Sequence, residues 1–395
     1  MHRLDNPIRR YGWGGRDFIP ELLGRDGRDG RPWAELWLGA HPSSPSRVLT
    51  GGAPRGLDEL IAGDPAGWLG QAVLERFGPR LPFLLKVLSA AKPLSLQAHP
   101  DAEQARAGFA AENGRGLPAD SPLRNYRDDN HKPELLVALT AFEALSGFRP
   151  LDELAACFAR PAFAGLRAAG LAPRPELGAA AALEKFFRGL LALEPDPARR
   201  ILVGIDAAAG HADPDRRLHW FRELRREYPD DPAVLAPYFL NLVALEPGQA
   251  LFQPARELHA YLHGAGLEIM ASSDNVLRGG CTRKPVDAAE LARVLAWRGA
   301  EREVLEARPA GNAGELEYPV PAGEFRLSVL DLSGRALRLR AESAELLLAI
   351  EGRALVASAG ERIELGRGES LIIGAASGFY DLEGRGRLYR ARVPS

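Results

Sequence analysis

Cysteine is scarce, with only Cys157 and Cys281 in 395 residues. Two thiols build no disulfide framework, and such sparse usage fits a reducing compartment. Long hydrophobic runs are missing too. No stretch approaches the ~18 apolar residues of a membrane span, and residues 1–14 lack the apolar core of a secretory signal. Charge of one sign is also lacking. The net value is −2, and arginines are balanced by acids along the whole chain, so no basic footprint invites nucleic acid. These absences predict a cytoplasmic protein with neither a membrane nor a nucleic-acid partner. What is present is ordinary for a globular chain: 46% apolar and 26% charged residues. The length suggests two or three domains.

Texture divides the chain. Residues 1–80 are dense in Gly, Pro and Trp, which predicts turns and short strands. From 151 to 245 alanine and leucine dominate and the spacing turns helical. Leu183, Phe186, Phe187, Leu190 and Leu191 form one stripe of an amphipathic helix, and Leu218, Phe221, Leu224 and Tyr228 form another. Pro195, Pro214, Pro229 and Pro232 punctuate four or five helices. His211 and His219 fall here and read as solvent or helix-terminal residues, so no chemistry is expected from this segment. Past residue 320, Phe325, Leu327 and Val329 alternate with polar neighbours, as do Leu337 and Leu339. Period-two alternation, with turns at Ser333-Gly334 and Glu351-Gly352, predicts an antiparallel sandwich or barrel.

The chain is organised around residues 81–100, two apolar strands joined by a turn at Ala90-Ala91-Lys92-Pro93. Residues two apart on a strand share a face, so Ser95, Gln97 and His99 line one surface while Leu96 and Ala98 face the other. An amide oxygen beside an imidazole is half of a metal site. The other half follows the helical segment. Gly248, Pro254 and His259 carry the spacing of the second cupin-barrel signature: a glycine turn, a strand-ending proline, and a histidine aimed inward. Glu134, after Pro133 and opening the apolar strand 135–139, is the best carboxylate candidate. Asp101 to Gln104 predicts a helix start between these pieces. Two imidazoles, one carboxylate and one amide oxygen suit Zn²⁺ and leave room for water or substrate. The turn-strand motif recurs at residues 368–374, with Gly374 in place of the proline and Phe379 in place of the histidine. That repeat reads as structural, with Phe379 as a buried side chain.

The motifs YGWGG (11–15), AELWLGAHP (34–42), LKVLSAAKPLSLQAHPD (85–101), NHKPELLVALT (130–140) and HAYLHGAGLEIMASSDNVLRGGCTRK (259–284) resemble those of the type I phosphomannose isomerase family nearly end to end. The departures are Gly12, Gly279 and Arg283, the last beside Lys284. The resemblance implies a mainly β fold: two cupin-like, jelly-roll barrels plus an all-α domain. The catalytic barrel would take residues 1–150 and 246–319, the helical insert 151–245, and a metal-free barrel 320–395. It also implies a zinc-dependent aldose–ketose isomerase interconverting mannose 6-phosphate and fructose 6-phosphate, in mannose metabolism and GDP-mannose biosynthesis. One Zn²⁺ per chain would be held by Gln97, His99, Glu134 and His259, with Arg278 in the active site. A monomer is expected.

Moving a carbonyl between C1 and C2 through an enediol needs an electrophile, a base and a cationic phosphate pocket. Lys132, Lys284 and Arg278 are the cations expected nearest the substrate, with Ser95 as a hydrogen-bonding contact. Glu268, His131 and Lys86 are candidate bases, and the sequence does not choose among them. Asp274, four residues before Arg278, reads as that arginine's orienting partner. Two competing readings are a non-enzymatic sugar-phosphate sensor and an isomerase of unphosphorylated sugars. Intact ligands and Arg278 argue against the first, and Lys132 with Lys284 against the second.

Overall fold

The computed structural model describes residues 1–394 apart from 28, 50–52, 209–214 and 313. His211 and Pro214 lie outside the described residues. The protein is mainly β with helices. Its strands form two sheets, of ten and eleven strands, and the described strands pair antiparallel within each.

The ten-stranded sheet carries the predicted site. Strand Phe83–Ala90 lies between Glu35–Leu38 and the long strand His259–Ala271. Register sets Trp37 opposite Lys86 and Lys86 opposite Glu268, while Glu134 faces Met270. Opposed residues point to the same side of a sheet, so these side chains share one face. The short strand Leu96–Ala98 pairs on both sides, putting Gln97 opposite His259 and Arg278. On its reverse side Leu96 and Ala98 are buried with Phe158, Phe186, Phe187 and Phe239. Alternation along the strand therefore aims polar groups inward and gives the helices an apolar back to pack on. Burying each such phenylalanine contributes about 1.5–3 kcal/mol.

The local signals are met in detail. Asp101 accepts the Gln104 backbone N–H at 2.9 Å and Gln104 caps in return at 3.1 Å, opening helix Ala102–Gly114. Gly248 turns with φ +91° before strand Ala250–Gln253, and Pro254 follows that strand. The two predicted helical stripes become helices Ala179–Leu191 and Arg216–Glu227.

Four expectations are corrected. Residues 57–77 form three short helices instead of turns and strands, because Leu57 and Ile61 share a buried side and Asp64 caps the next helix at Gly67 N–H. The helical segment stops early: Leu240–Leu245 is a strand that pairs with Phe142–Phe148. Glu351-Gly352 is no turn. It lies inside strand Glu345–Ser358, where a register shift and Gly352 at φ +73° make a bulge. Finally, Phe379 is 55% exposed, stacked under the guanidinium groups of Arg338 and Arg340.

The eleven-stranded sheet recruits the N-terminus. Strand His2–Asp5 pairs with Ser370–Ile373 on one side and Arg47–Leu49 on the other. A shared core, including Leu36, Val87, Leu135, Leu327 and Leu346, joins the two sheets.

Candidate active site

His99, Glu134 and His259 converge on the inner face, all buried. His99 Nε2 stands 3.2 Å from Glu134 Oε1, and His259 Nε2 stands 3.4 Å from Glu134 Oε2. Each histidine is fixed from behind. His99 Nδ1 donates to the Asn275 carbonyl at 2.6 Å and His259 Nδ1 to that of Glu257 at 3.1 Å. With both Nδ1 atoms so engaged, both Nε2 lone pairs point into the cluster.

The cluster passes a direct test for a cation. His99 Nε2 and Glu134 Oε2 are buried and make no well-formed hydrogen bond, a costly state unless something else satisfies them. Gln97 lies beside the cluster. Its amide nitrogen lies 3.3 Å from His259 Nε2, and half a turn of the amide would exchange nitrogen for oxygen there. Two imidazoles, a carboxylate and an amide oxygen fit a zinc ion. Burial, with Lys132 adding to it against Glu134, holds the His99 imidazole down to about 4, so it stays neutral and able to ligate. Burial opposes the charge on Glu134, yet the Lys132 ammonium 3.3 Å away holds it well below the usual carboxylate range.

Next to this cluster lies a buried charged row. Lys86 Nζ contacts Glu268 Oε2 at 3.0 Å and Glu35 Oε1 at 4.0 Å. Burial lifts the Glu268 carboxyl against the pull of Lys86. For Lys86, burial opposes the charge and the surrounding carboxylates more than offset it, raising its pKa. Lys132 is buried with Nζ 3.3 Å from Glu134 Oε1, a partner of the cluster more than a lining of the cleft.

A cleft of about 520 Å³ opens beside Gln97 and is lined by Ser95, Arg278, Lys284 and Trp13, among others. Arg278 is half-buried, and among the described residues its guanidinium has no ion pair or hydrogen bond. Burial and the like charge of Arg127 lower its pKa. Lys284 is shifted the same way by burial, Arg278 and Arg127. A cleft with unpaired cations selects an anionic ligand.

Two placements differ from expectation. Asp274 does not brace Arg278; its carboxylate faces His41 Nε2 at 3.5 Å, and its N–H donates to Asp128 at 2.7 Å. His131 turns away from this cleft. Its Nε2 meets Glu324 Oε1 at 2.7 Å, in a separate cleft of about 360 Å³.

Sequence reasoning also missed residues. Glu223, Glu227 and Tyr228 of the helical segment line the cleft, and Lys92 pairs with Glu227 at 2.6 Å across its wall. Tyr261 and Gln253 lie buried on the inner side, Gln253 opposite Glu134 in register. For Tyr261 and Gln253 the signal was available, as polar residues at inward positions of strands already recognised.

Fold and site together define a candidate mononuclear metal centre inside an antiparallel β-sheet, opening on a cationic cleft. Comparison with known proteins narrows the class. Residues 1–151 match the family model of the phosphomannose isomerase type I catalytic domain, and residues 314–393 match that of the mannose-6-phosphate isomerase cupin domain. Mannose-6-phosphate isomerase of Escherichia coli is 38% identical over 393 residues, 99% of each chain. The human enzyme is 32% identical, covering 94% of this chain and 93% of its own. A crystal structure of mannose 6-phosphate isomerase from Salmonella typhimurium, bound to substrate and zinc, superposes with a TM-score of 0.92. It is 37% identical and fully covered on both sides. The chain belongs to the type I mannose-6-phosphate isomerase family.

Proposed function

We propose that this protein is a zinc-dependent aldose–ketose isomerase interconverting mannose 6-phosphate and fructose 6-phosphate through an enediol. The observation that carries this reading is the cluster of His99, Glu134 and His259, with unsatisfied buried donor atoms, beside a cleft whose free cations suit a sugar phosphate. Gln97, His99, Glu134 and His259 would hold one zinc. Bound there, the ion would supply Lewis acidity toward a sugar oxygen.

The chain's own residues supply the rest. Lys284 and Ser95 hold the phosphate at the cleft wall, fixing the reacting carbons near the cluster. Arg278, with no competing anion, directs its planar fork at the developing enediolate oxygens. Lys132 keeps Glu134 ionised. Glu268 is the favoured proton acceptor, since burial lifts its carboxyl toward neutrality, and Lys86 holds it in place. His131 is disfavoured because Glu324 engages it on another face.

The proposed architecture is two cupin-like barrels of jelly-roll type with an all-α insert. Residues 1–150 and 240–319 form the catalytic unit, 151–239 the insert, and 320–395 the second barrel, to which the N-terminal strands His2–Asp5, Arg47–Leu49 and Arg55–Gly56 also contribute. The protein is proposed to act as a monomer. A cytoplasmic location is supported by two free, buried cysteines; no described helix is long and apolar enough to cross a membrane.

Metal analysis and paired assays test the reading. Purified protein should carry close to one zinc and turn over mannose 6-phosphate far faster than mannose, and His259→Ala should lose most of the metal. Full zinc in that variant, or equal rates on the two sugars, would overturn it.

A further inference from the structure

The strand Leu277–Gly280, which carries Arg278, ends on an unusual turn. Gly280 has φ +121° and Cys281 φ +51°, a left-handed conformation that residues with side chains rarely adopt. Asp231 holds it. This residue sits between helix Arg216–Glu227 and the 3-10 turn Pro232–Leu235. Its Oδ2 accepts the Cys281 N–H at 2.7 Å, while Oδ1 accepts the Ala233 N–H at 2.9 Å. Contact is close, since a methyl group on Gly280 would fall 2.2 Å from Ala233 Cβ. Beyond Cys281 the chain forms a strap, Thr282, Arg283 and Lys284, closed by Lys284 N–H on Thr282 Oγ1 at 3.1 Å. All three residues line the cleft.

The strap therefore takes its direction from a carboxylate that belongs to the helical segment. We propose that Asp231 is a positioning residue that sets where Lys284 meets the substrate's phosphate, making the helical segment part of the substrate site. The proposal rests on the isomerase reading above and extends it.

Charge and position predict opposite signs here. Removing a carboxylate beside a cationic cleft would, on charge alone, tighten an anionic ligand; releasing the strap would loosen it. A purely structural brace would lower the melting temperature and leave KM alone. The wild-type protein is assayed first on mannose 6-phosphate, and absence of turnover there would remove the isomerase reading itself. In zinc-loaded Asp231→Ala, KM for mannose 6-phosphate should then rise about tenfold while kcat stays within about threefold. Asp231→Asn, which keeps one acceptor for Cys281 N–H, should fall between that variant and wild type. An unchanged or lowered KM in Asp231→Ala with full zinc would overturn the proposal. If that variant does not fold, the KM of Asp231→Asn decides by the same rule, a rise of about threefold supporting the proposal and no rise overturning it.

Discussion

Lys86 and Glu268 allow stability and chemistry to be separated in one set of variants. Their charged atoms lie 3.0 Å apart, and both side chains are buried. At an effective dielectric of ~20, unit charges at that distance attract by about 5–6 kcal/mol. Taking both from water costs several kcal/mol each, so the intact pair is roughly neutral against a packed apolar substitute. Removing one partner is different. Lys86→Met would strand a buried Glu268 carboxylate whose neighbour Glu35 adds only repulsion, at a cost of about 3–5 kcal/mol. Glu268→Leu would leave the ammonium with Glu35 at 4.0 Å and should fall at the lower end of that range. The double variant Lys86→Met/Glu268→Leu removes both charges, and urea unfolding should place it within about 1–2 kcal/mol of wild type. Its activity should not return. If Glu268 accepts the proton, kcat on mannose 6-phosphate in zinc-loaded protein falls about 10²–10⁴-fold in both the Glu268→Leu and double variants. A stable double variant turning over within tenfold of wild type would refute the catalytic role. One as unstable as the worse single variant would refute the electrostatic reasoning.

Arg278→Lys keeps the charge and loses the planar fork; kcat should fall ~10²-fold or more with zinc content and melting temperature unchanged, because Arg278 braces nothing. A lowered melting temperature with near-normal kcat would reverse that assignment. Phe379→Ala should cost under about 1 kcal/mol, the scale of exposed cation–π contacts, and a melting curve showing several times that loss would mean the ring is buried in solution. Metal-free protein should lose stability with acid, because burial holds His99 down to about 4, whereas the unfolded imidazole takes its proton near 6.5. The contribution is present above pH 6.5 and is lost as pH falls through about 4. After chelation the melting temperature should therefore drop across that window, and a flat profile would contradict a buried neutral His99.

The site was legible where it obeyed strand periodicity. Gln97 lies on a short strand and His99 one residue past its end, still two residues apart, and His259 follows a glycine turn and a proline stop; both patterns are local. Glu134 could be found because it opens a strand whose other residues are all apolar. Asp231 could not be found, since its role is a contact with Cys281 fifty residues away. Tyr228 looked like core because it continues a helical stripe, and only the packing of that helix against the sheet turns it toward the cleft. Phe379 fails for a sharper reason. Its spacing from Gly368 matches that of His259 from Gly248, but a 3-10 turn, Ala375–Ser377, and Gly378 at φ +61° come before it. A change of one residue in how a strand is entered exchanges its two faces, so Phe379 faces water and Tyr380 faces inward.

What Tyr380 meets inside explains how one turn-strand motif serves two ends. Its hydroxyl donates to Glu345 Oε2 at 2.6 Å, and Arg390 grips both oxygens of the same carboxylate, at 2.8 and 2.6 Å. A further Arg390 nitrogen donates to Glu315 at 2.9 Å. Here the cation that neutralises buried carboxylates is part of the chain, always charged and unable to dissociate. Both oxygens of Glu345 are committed, so nothing in this network invites a ligand. In the ten-stranded sheet the corresponding interior keeps Glu134 Oε2 and His99 Nε2 without hydrogen-bond partners. Buried polar atoms left in that state are unfavourable unless a bound species repairs them. Commitment of the buried carboxylate to the chain's own arginine, more than resemblance of the motif, therefore separates the interior around Glu345 from the one around Glu134.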